Sequence, residues 1–313
     1  MTGELFDPRK TFGAAVTAEA AHCPDIVVFS ADSGKSSGFA AFMEQYPERY
    51  FECGIMEQGV VGMAAGMATA GKIPIFCAIA PFVTARPYEM IRNDVGYMRQ
   101  NVKLVGRNCG LTYSDLGATH QSLDDFALMR AIPGMTVLAP QDPGEIRQAV
   151  KAMLQWKGPV YMRIGNPKIP MLFEEGAFEI GKARLIAEGS DVTLVSTGSA
   201  TLDAMGAVEL LKAQGIHAEL LGMPTVMPLD LDALTVSAQK TGVVVTVEEH
   251  YVSGGLGTAV TEALSACTGI AVHRIGVPNQ YAVTCGDYRK LLAHYGLDTG
   301  GIAQTVQKLL GRH

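Results

Sequence analysis

No basic block interrupts this sequence. Its 25 Lys and Arg are outnumbered by 31 Asp and Glu, giving a net charge of −6. A general nucleic-acid binder would show the opposite balance. No apolar run reaches the roughly 20 residues that a membrane-spanning helix needs. The first residues, Met1-Thr-Gly-Glu-Leu-Phe-Asp7, lack the basic-then-apolar pattern of a secretory leader. Cysteine is sparse: Cys23, Cys53, Cys77, Cys109, Cys267 and Cys285 stand far apart, with no CxxC pair. That spacing speaks against a zinc site or a disulfide frame. It predicts reduced, mostly buried thiols in a cytoplasmic protein that holds no metal of its own. Internal repeats and low-complexity tracts are absent as well.

What is present is material for large cores. Of 313 residues 48% are hydrophobic and 18% charged, enough for two domains. Short apolar runs (Ile26–Phe29, Ile73–Ile79, Val102–Val105, Thr136–Leu138, Val160–Met162) alternate with helical patterns over 11–22, 56–70, 86–99, 122–130 and 143–157. Such alternation predicts an α/β fold, a mainly parallel sheet flanked by helices. Asp142-Pro-Gly-Glu145 reads as a helix start, with an N-cap followed by proline. The rhythm breaks at Gly165-Asn-Pro-Lys-Ile-Pro170 and resumes at Val192–Val195. The expected organisation is therefore a first domain over 1–170, a linker over 171–188 and a smaller α/β domain over 189–313.

The stretch Tyr50-Phe-Glu-Cys-Gly-Ile-Met-Glu-Gln-Gly59 sets an acid, Glu57, at the start of a helix rich in small residues. Gly62, Ala65 and Gly66 suit that helix to close packing. A carboxylate in so apolar a setting is costly unless partnered, which suits Glu57 either to acid–base work or to capping a helix N-terminus.

The surrounding motifs favour the first role. Ser30-Ala-Asp-Ser-Gly-Lys-Ser36, Gly54-Ile-Met-Glu-Gln58, Ala118-Thr-His-Gln121, Val160-Tyr-Met-Arg163 and Glu248-Glu-His-Tyr-Val-Ser-Gly-Gly-Leu-Gly257 follow one another here. In that order they resemble the transketolases, over about residues 10–310. The likeness covers only the C-terminal half of a full-length member: the pyrimidine-binding domain and the C-terminal domain. The resemblance implies thiamine diphosphate as cofactor, with Glu57 hydrogen-bonded to its aminopyrimidine to favour the activating tautomer. It further implies that Phe82 stacks on that ring and that Asp32 and Ile79 lie beside the cofactor. His120 would face substrate and handle its protons and hydroxyls. Arg163 and Ser36 would bind a sugar phosphate, a task suited to a planar guanidinium. Lys35 is an additional cation near the same motif.

Two positions depart from the family pattern. Leu116 stands where an aspartate usually contacts a sugar hydroxyl, and Asn108 where a histidine commonly helps bind substrate. Ile79 and Ala85 replace aromatic residues, so the ring pocket should be more aliphatic. The loop Gly254-Gly-Leu-Gly-Thr-Ala259 has a nucleotide-loop look but no ribose-binding acid, so close helix packing is expected there. Arg92, Asp94, Glu248, Glu249 and His250 are expected at interfaces. The family holds the cofactor diphosphate through a divalent ion such as Mg2+, using Gly-Asp-Gly and a later Asn on the preceding domain. No Gly-Asp-Gly occurs in this chain; Cys285-Gly-Asp-Tyr288 comes closest. The resemblance thus implies one half of a split enzyme, completed by an N-terminal subunit in an α2β2 assembly and moving a two-carbon ketol unit from a ketose phosphate to an aldose. Rival expectations are half of a deoxyxylulose-phosphate-synthase-like enzyme, a 2-oxoacid dehydrogenase beta subunit, or a non-catalytic interaction module.

Overall fold

The structure, a computed structural model, describes residues 4–173, 176, 178–282 and 286–312. Glu174, Glu175 and Ala177 of the expected linker, and Cys285, lie outside the described residues. Among the described residues twelve strands form two sheets: β1 (Ile26–Ser30), β2 (Tyr50–Glu52), β3 (Ile73–Ile79), β4 (Lys103–Arg107), β5 (Thr136–Leu138), β6 (Val160–Arg163), β7 (Arg184–Ala187), β8 (Val192–Ser196), β9 (Ala218–Gly222), β10 (Thr225–Met227), β11 (Val243–Tyr251) and β12 (Ala271–Val277). The first sheet has seven strands in the order β10-β5-β6-β4-β3-β1-β2, and the second has five in the order β12-β11-β8-β9-β7. All pairings are parallel except those of the edge strands β10 and β7.

The first sheet is buried on both faces, as a parallel sheet must be when crossover helices cover it. Side chains alternate along a strand, and β1 shows the result. Ile26 and Val28 join Phe12, Val16, Phe39 and Ile146 in one core. Val27 and Phe29 join Val60, Val61 and Ala64 in the other. The helix Pro8–Ala20, capped by the Asp7 carboxylate, covers the first face. The helix Glu57–Thr69 covers the second. Asp142 caps the helix Pro143–Gln155 as the sequence suggests, its carboxylate accepting from the Glu145 N–H at 2.7 Å.

Three features differ from the sequence reading. The second sheet begins at β7, inside the stretch expected as linker. β10, from beyond β9, crosses back to pair antiparallel with β5, so the C-terminal part completes the first sheet. Its three residues sit between prolines, too short a run to register as a strand. The stretch 86–99 is not one α-helix: a short turn at Tyr88–Met90 passes into a π-helix over Ile91–Tyr97.

The two sheets are tied by a buried polar joint. Glu249 accepts from Ser199 Oγ at 2.6 Å, Tyr288 Oη at 2.5 Å and the Leu111 N–H at 3.2 Å. Glu248 spans the glycine-rich loop, accepting from the Leu256 and Gly257 N–H groups at 2.6 and 2.7 Å. That carboxylate fills the anion position a helix N-terminus offers, so the 254–259 loop is already satisfied from within the chain.

Candidate active site

Three parallel strands, β1, β3 and β4, deliver their C-terminal ends to one side of the first sheet, the usual place for ligands in an open α/β sheet. A pocket of about 260 Å3 opens there, lined by Asp32, Ser33, Ser36, Ile79, Phe82, Glu57, Arg86 and Arg107 among others. The volume lies under the roughly 300–1,000 Å3 of a typical small-molecule site, which is what a half-site would offer.

Glu57 is the first residue of its helix and only 3% exposed. Its Oε1 accepts from Arg86 Nη1 at 2.5 Å. The same guanidinium lies over the Phe82 ring, 4.1 Å from its centroid. Glu57 and Phe82 therefore already hold one flat, N–H-donating group between an acid and a ring face. His120 joins them: its ring meets Phe82 edge-on at 5.2 Å and Tyr113 at 5.7 Å. Its Nδ1 shares a hydrogen bond of 2.9 Å with Thr119 Oγ1. Leu116 is 48% exposed near this loop. Asp32 and Ser36 are exposed on the 31–36 loop, where Asp32 adopts a left-handed φ of 55°.

Glu52, which the motif reading passes over, sets the geometry of both pocket loops. Its carboxylate accepts from the Asp32 N–H at 2.7 Å, the Gly54 N–H at 3.1 Å and Tyr50 Oη at 3.1 Å. Partial burial pushes its pKa up, but the hydrogen bonds outweigh that and hold it below the usual carboxylate value.

Arg163, which the resemblance implies would bind a sugar phosphate, does not line this pocket. Its guanidinium is 5% exposed and lies 3.3 Å from the fully buried Asp125 carboxylate. It donates to Glu249 O at 2.5 Å and Ser122 O at 3.3 Å, and covers the Phe126 ring at 4.4 Å. Asp125 in turn accepts from Tyr161 Oη at 2.6 Å. Arg163 is thus spent inside the joint between the two sheets. The residue reaching the pocket is Arg107, one strand over, which no motif marks.

The packing expected of Gly62 and Gly66 is also not found within the chain. Among the described residues only Asp94 Oδ2 comes within 4.0 Å of the Gly62 Cβ position, and nothing comes within 4 Å of that of Gly66. Ile55, Met56 and Met63, beside these residues and Glu57, are 71%, 45% and 41% exposed. Among the described residues no cluster of three or more His, Cys, Asp or Glu could hold a metal, and no helix is long and apolar enough to cross a membrane.

Residues 6–170 match the description "Transketolase, pyrimidine binding domain" and residues 181–302 match "Transketolase, C-terminal domain". The chain belongs to the transketolase family. It is similar, at 38% identity over 308 residues and 98% of both chains, to one of the apulose-4-phosphate transketolase subunits of Phocaeicola vulgatus. It is 38% identical over 289 residues to the 6-deoxy-6-sulfo-D-fructose transketolase subunit SqwH of a Clostridium species, covering 92% of this chain and 89% of that one. Among solved structures, a split-gene transketolase described as an inactive β4 tetramer superposes with a TM-score of 0.91 at 39% identity, covering 98% and 99% of the two chains. The chain is accordingly a C-terminal subunit of a split transketolase, and its two-sheet architecture is that of the family.

Proposed function

We propose that this subunit, joined to a chain that carries the diphosphate-binding domain, transfers a two-carbon ketol unit from a ketose phosphate to an aldose. The observation that carries the reading is the Glu57–Phe82 pair gripping a planar N–H donor. An aminopyrimidine in its imino or ring-protonated form has the same two features, a flat face and a ring N–H, so the residues present fit the pyrimidine end of thiamine diphosphate. A ring taking that place displaces Arg86. The bound cofactor supplies the carbanion chemistry.

The chain's own residues do the rest. Glu57, screened from water, holds the proton shared with the ring nitrogen. Phe82 and Ile79 flank the ring, and Asp32 stands beside it on the neighbouring loop. His120, 5.2 Å from Phe82, donates to or accepts from the substrate hydroxyls at the reacting carbon. Ser36 binds the far end of the sugar. The divalent ion, such as Mg2+, and the diphosphate contacts belong to the N-terminal subunit, in an α2β2 assembly. The exposed Ile55, Met56 and Met63 around the mouth are suited to that interface. The inactive β4 state of the similar split-gene protein supports dependence on a partner. Sugar-phosphate chemistry of this kind is in keeping with a cytoplasmic complex.

Glu57→Gln in the reconstituted complex tests the assignment. Turnover should fall at least about 100-fold while co-purification with the partner is unchanged. Unaltered turnover would remove Glu57 from the mechanism. A donor screen that includes pyruvate separates the rivals: turnover of pyruvate without any ketose would replace ketol transfer by 2-oxoacid chemistry.

A further inference from the structure

Tyr113 belongs to the loop that follows β4; it is half-buried and does not itself line the pocket. Its ring meets the His120 imidazole at 5.7 Å with an interplanar angle of 83°, and Phe82 meets the same imidazole at 5.2 Å and 69°. Both contacts are edge-to-face, an arrangement that aromatic pairs favour. The imidazole is therefore held by two rings, one following β3 and one following β4.

Tyr113 is fixed at both of its ends. Its hydroxyl accepts from Arg107 Nη1 at 3.3 Å, and that guanidinium is itself anchored on Ser36 Oγ, Ser37 Oγ and Asn108 Oδ1 at 2.7, 3.0 and 3.0 Å. Its carbonyl accepts from the Leu116 and Gly117 N–H groups at 3.2 and 3.1 Å. The Gly117 carbonyl accepts in turn from the His120 and Gln121 N–H groups, both at 3.0 Å. Gly117 permits this second turn, because its φ of 71° lies in the left-handed region. The loop 113–121 is thus one turn wound upon another, with Tyr113 bonded at its root and in ring contact with His120 near its end.

His120 Nδ1 is committed to Thr119 Oγ1 at 2.9 Å. Among the described residues Nε2 has no hydrogen-bond partner, so it is the nitrogen left to meet substrate. Side chains on exposed loops exchange rotamers within nanoseconds, whereas proton transfer needs the ring within hydrogen-bond reach of one atom. We infer that Tyr113 is a positioning residue for His120: its ring, tied to the end of β4 through Arg107, holds the imidazole against Phe82 with Nε2 free for substrate. The inference rests on the proposed ketol transfer for what His120 does, but not for the orientation of its ring.

The first arm of the test needs no turnover. The full chain carrying isotope-labelled histidine gives ring signals in magnetic resonance, and His120→Gln identifies the one from His120. Tyr113→Leu should move that signal away from the position that the two neighbouring rings impose. The signal of His273, on β12, should stay in place and show that the fold is intact. Tyr113→Phe keeps the ring and loses only the Arg107 bond, so it should move the His120 signal less. An unmoved His120 signal in Tyr113→Leu overturns the inference.

The second arm uses the complex with the N-terminal subunit, loaded with thiamine diphosphate and given a ketose phosphate and an aldose. Tyr113→Leu should lower kcat about 10- to 100-fold with KM little changed, the scale expected when a reacting group is misplaced by about 1 Å. Tyr113→Phe should stay at least about 3-fold more active than Tyr113→Leu, since it keeps the edge-to-face pair. In a His120→Gln background Tyr113→Leu should change turnover less than about 2-fold, because residues that act as a unit are not additive. The full loss in that background, or equal losses in the Phe and Leu variants, would mean that Tyr113 acts elsewhere, and would overturn the inference. A parent complex inactive on every ketose phosphate would sink ketol transfer instead, leaving the ring signals to decide the positioning.

Discussion

At the first residue of β4, Lys103 is fully buried; at the last, Arg107 is nearly so. Both cations meet only neutral acceptors. Lys103 Nζ donates at 2.8 Å to each of Asn101 Oδ1, Trp156 O and Gly158 O, so all three of its protons are placed. Burial, with the charge of Lys157 nearby, lowers its pKa to about 7. A lysine can answer burial by giving up its proton; an arginine cannot. The two ends of one strand thus face the same problem with different means. The arginine end keeps its charge and spreads it over neutral acceptors. Arg163 on the adjacent strand β6 shows the third solution, a carboxylate supplied by Asp125.

The sharpest way to break this comparison is to remove each arginine in turn. Arg163→Leu leaves Asp125 buried without its cation and should cost about 3–5 kcal/mol of unfolding free energy. Arg107→Leu orphans no carboxylate, and the hydroxyls it leaves can pair elsewhere, so its cost should stay near 1–2 kcal/mol. Denaturant unfolding of both variants reads the difference. Equal costs would show that Asp125 is not what makes Arg163 indispensable to the fold.

That contrast also explains what the sequence made legible. Strand–helix alternation exposed the parallel sheets because each strand is a compact apolar run. Glu57 and Phe82 could be placed at one pocket because each stands at an element end that the sequence marks: the acid opens its own helix, and the ring follows its own strand. The surroundings of Arg163 were hidden for the opposite reason. A motif gives a position at a strand end, but the carboxylate that claims the guanidinium comes from Asp125, on a different element far back along the chain. Arg107 carries no motif. Its only trace is a cation ending the apolar run after Val102, and its neutral acceptors, from the loops after β1 and β4, are a property of folded space. β10 was hidden likewise, since its pairing with β5 depends on the chain crossing back between domains.

The lysine end makes a second, smaller prediction. The folded-state pKa of Lys103 lies below its unfolded value of about 10.4, so the unfolded chain binds more protons between about pH 7 and pH 10. Stability from this group is therefore fully present above the unfolded value and is lost as pH falls towards about 7. Lys103→Met should flatten the stability–pH curve in that window by up to about 1.4 kcal/mol per pH unit. Parallel curves for parent and variant would mean that Lys103 keeps its proton inside the fold, and the distinction between the strand ends would vanish.

The smallest expected effect concerns the one pocket cation that has a carboxylate. Arg86 is 35% exposed at its side chain and Glu57 only 4%, so removing the arginine strands a buried acid, while removing the acid strands little. Arg86→Ala should cost about 1–2 kcal/mol, below the figure for a fully buried pair because solvent screens the arginine. In a Glu57→Gln background the same change should cost close to nothing, since an amide needs no counter-charge. The coupling in that double-mutant cycle isolates the pair. It also separates two views of Arg86. If the guanidinium serves to keep Glu57 neutralised until a ring replaces it on Phe82, its cost must depend on Glu57. If the cost is the same in both backgrounds, Arg86 is held by Phe82 stacking alone, and the acid at the helix start would have to be neutralised some other way before any cofactor arrives.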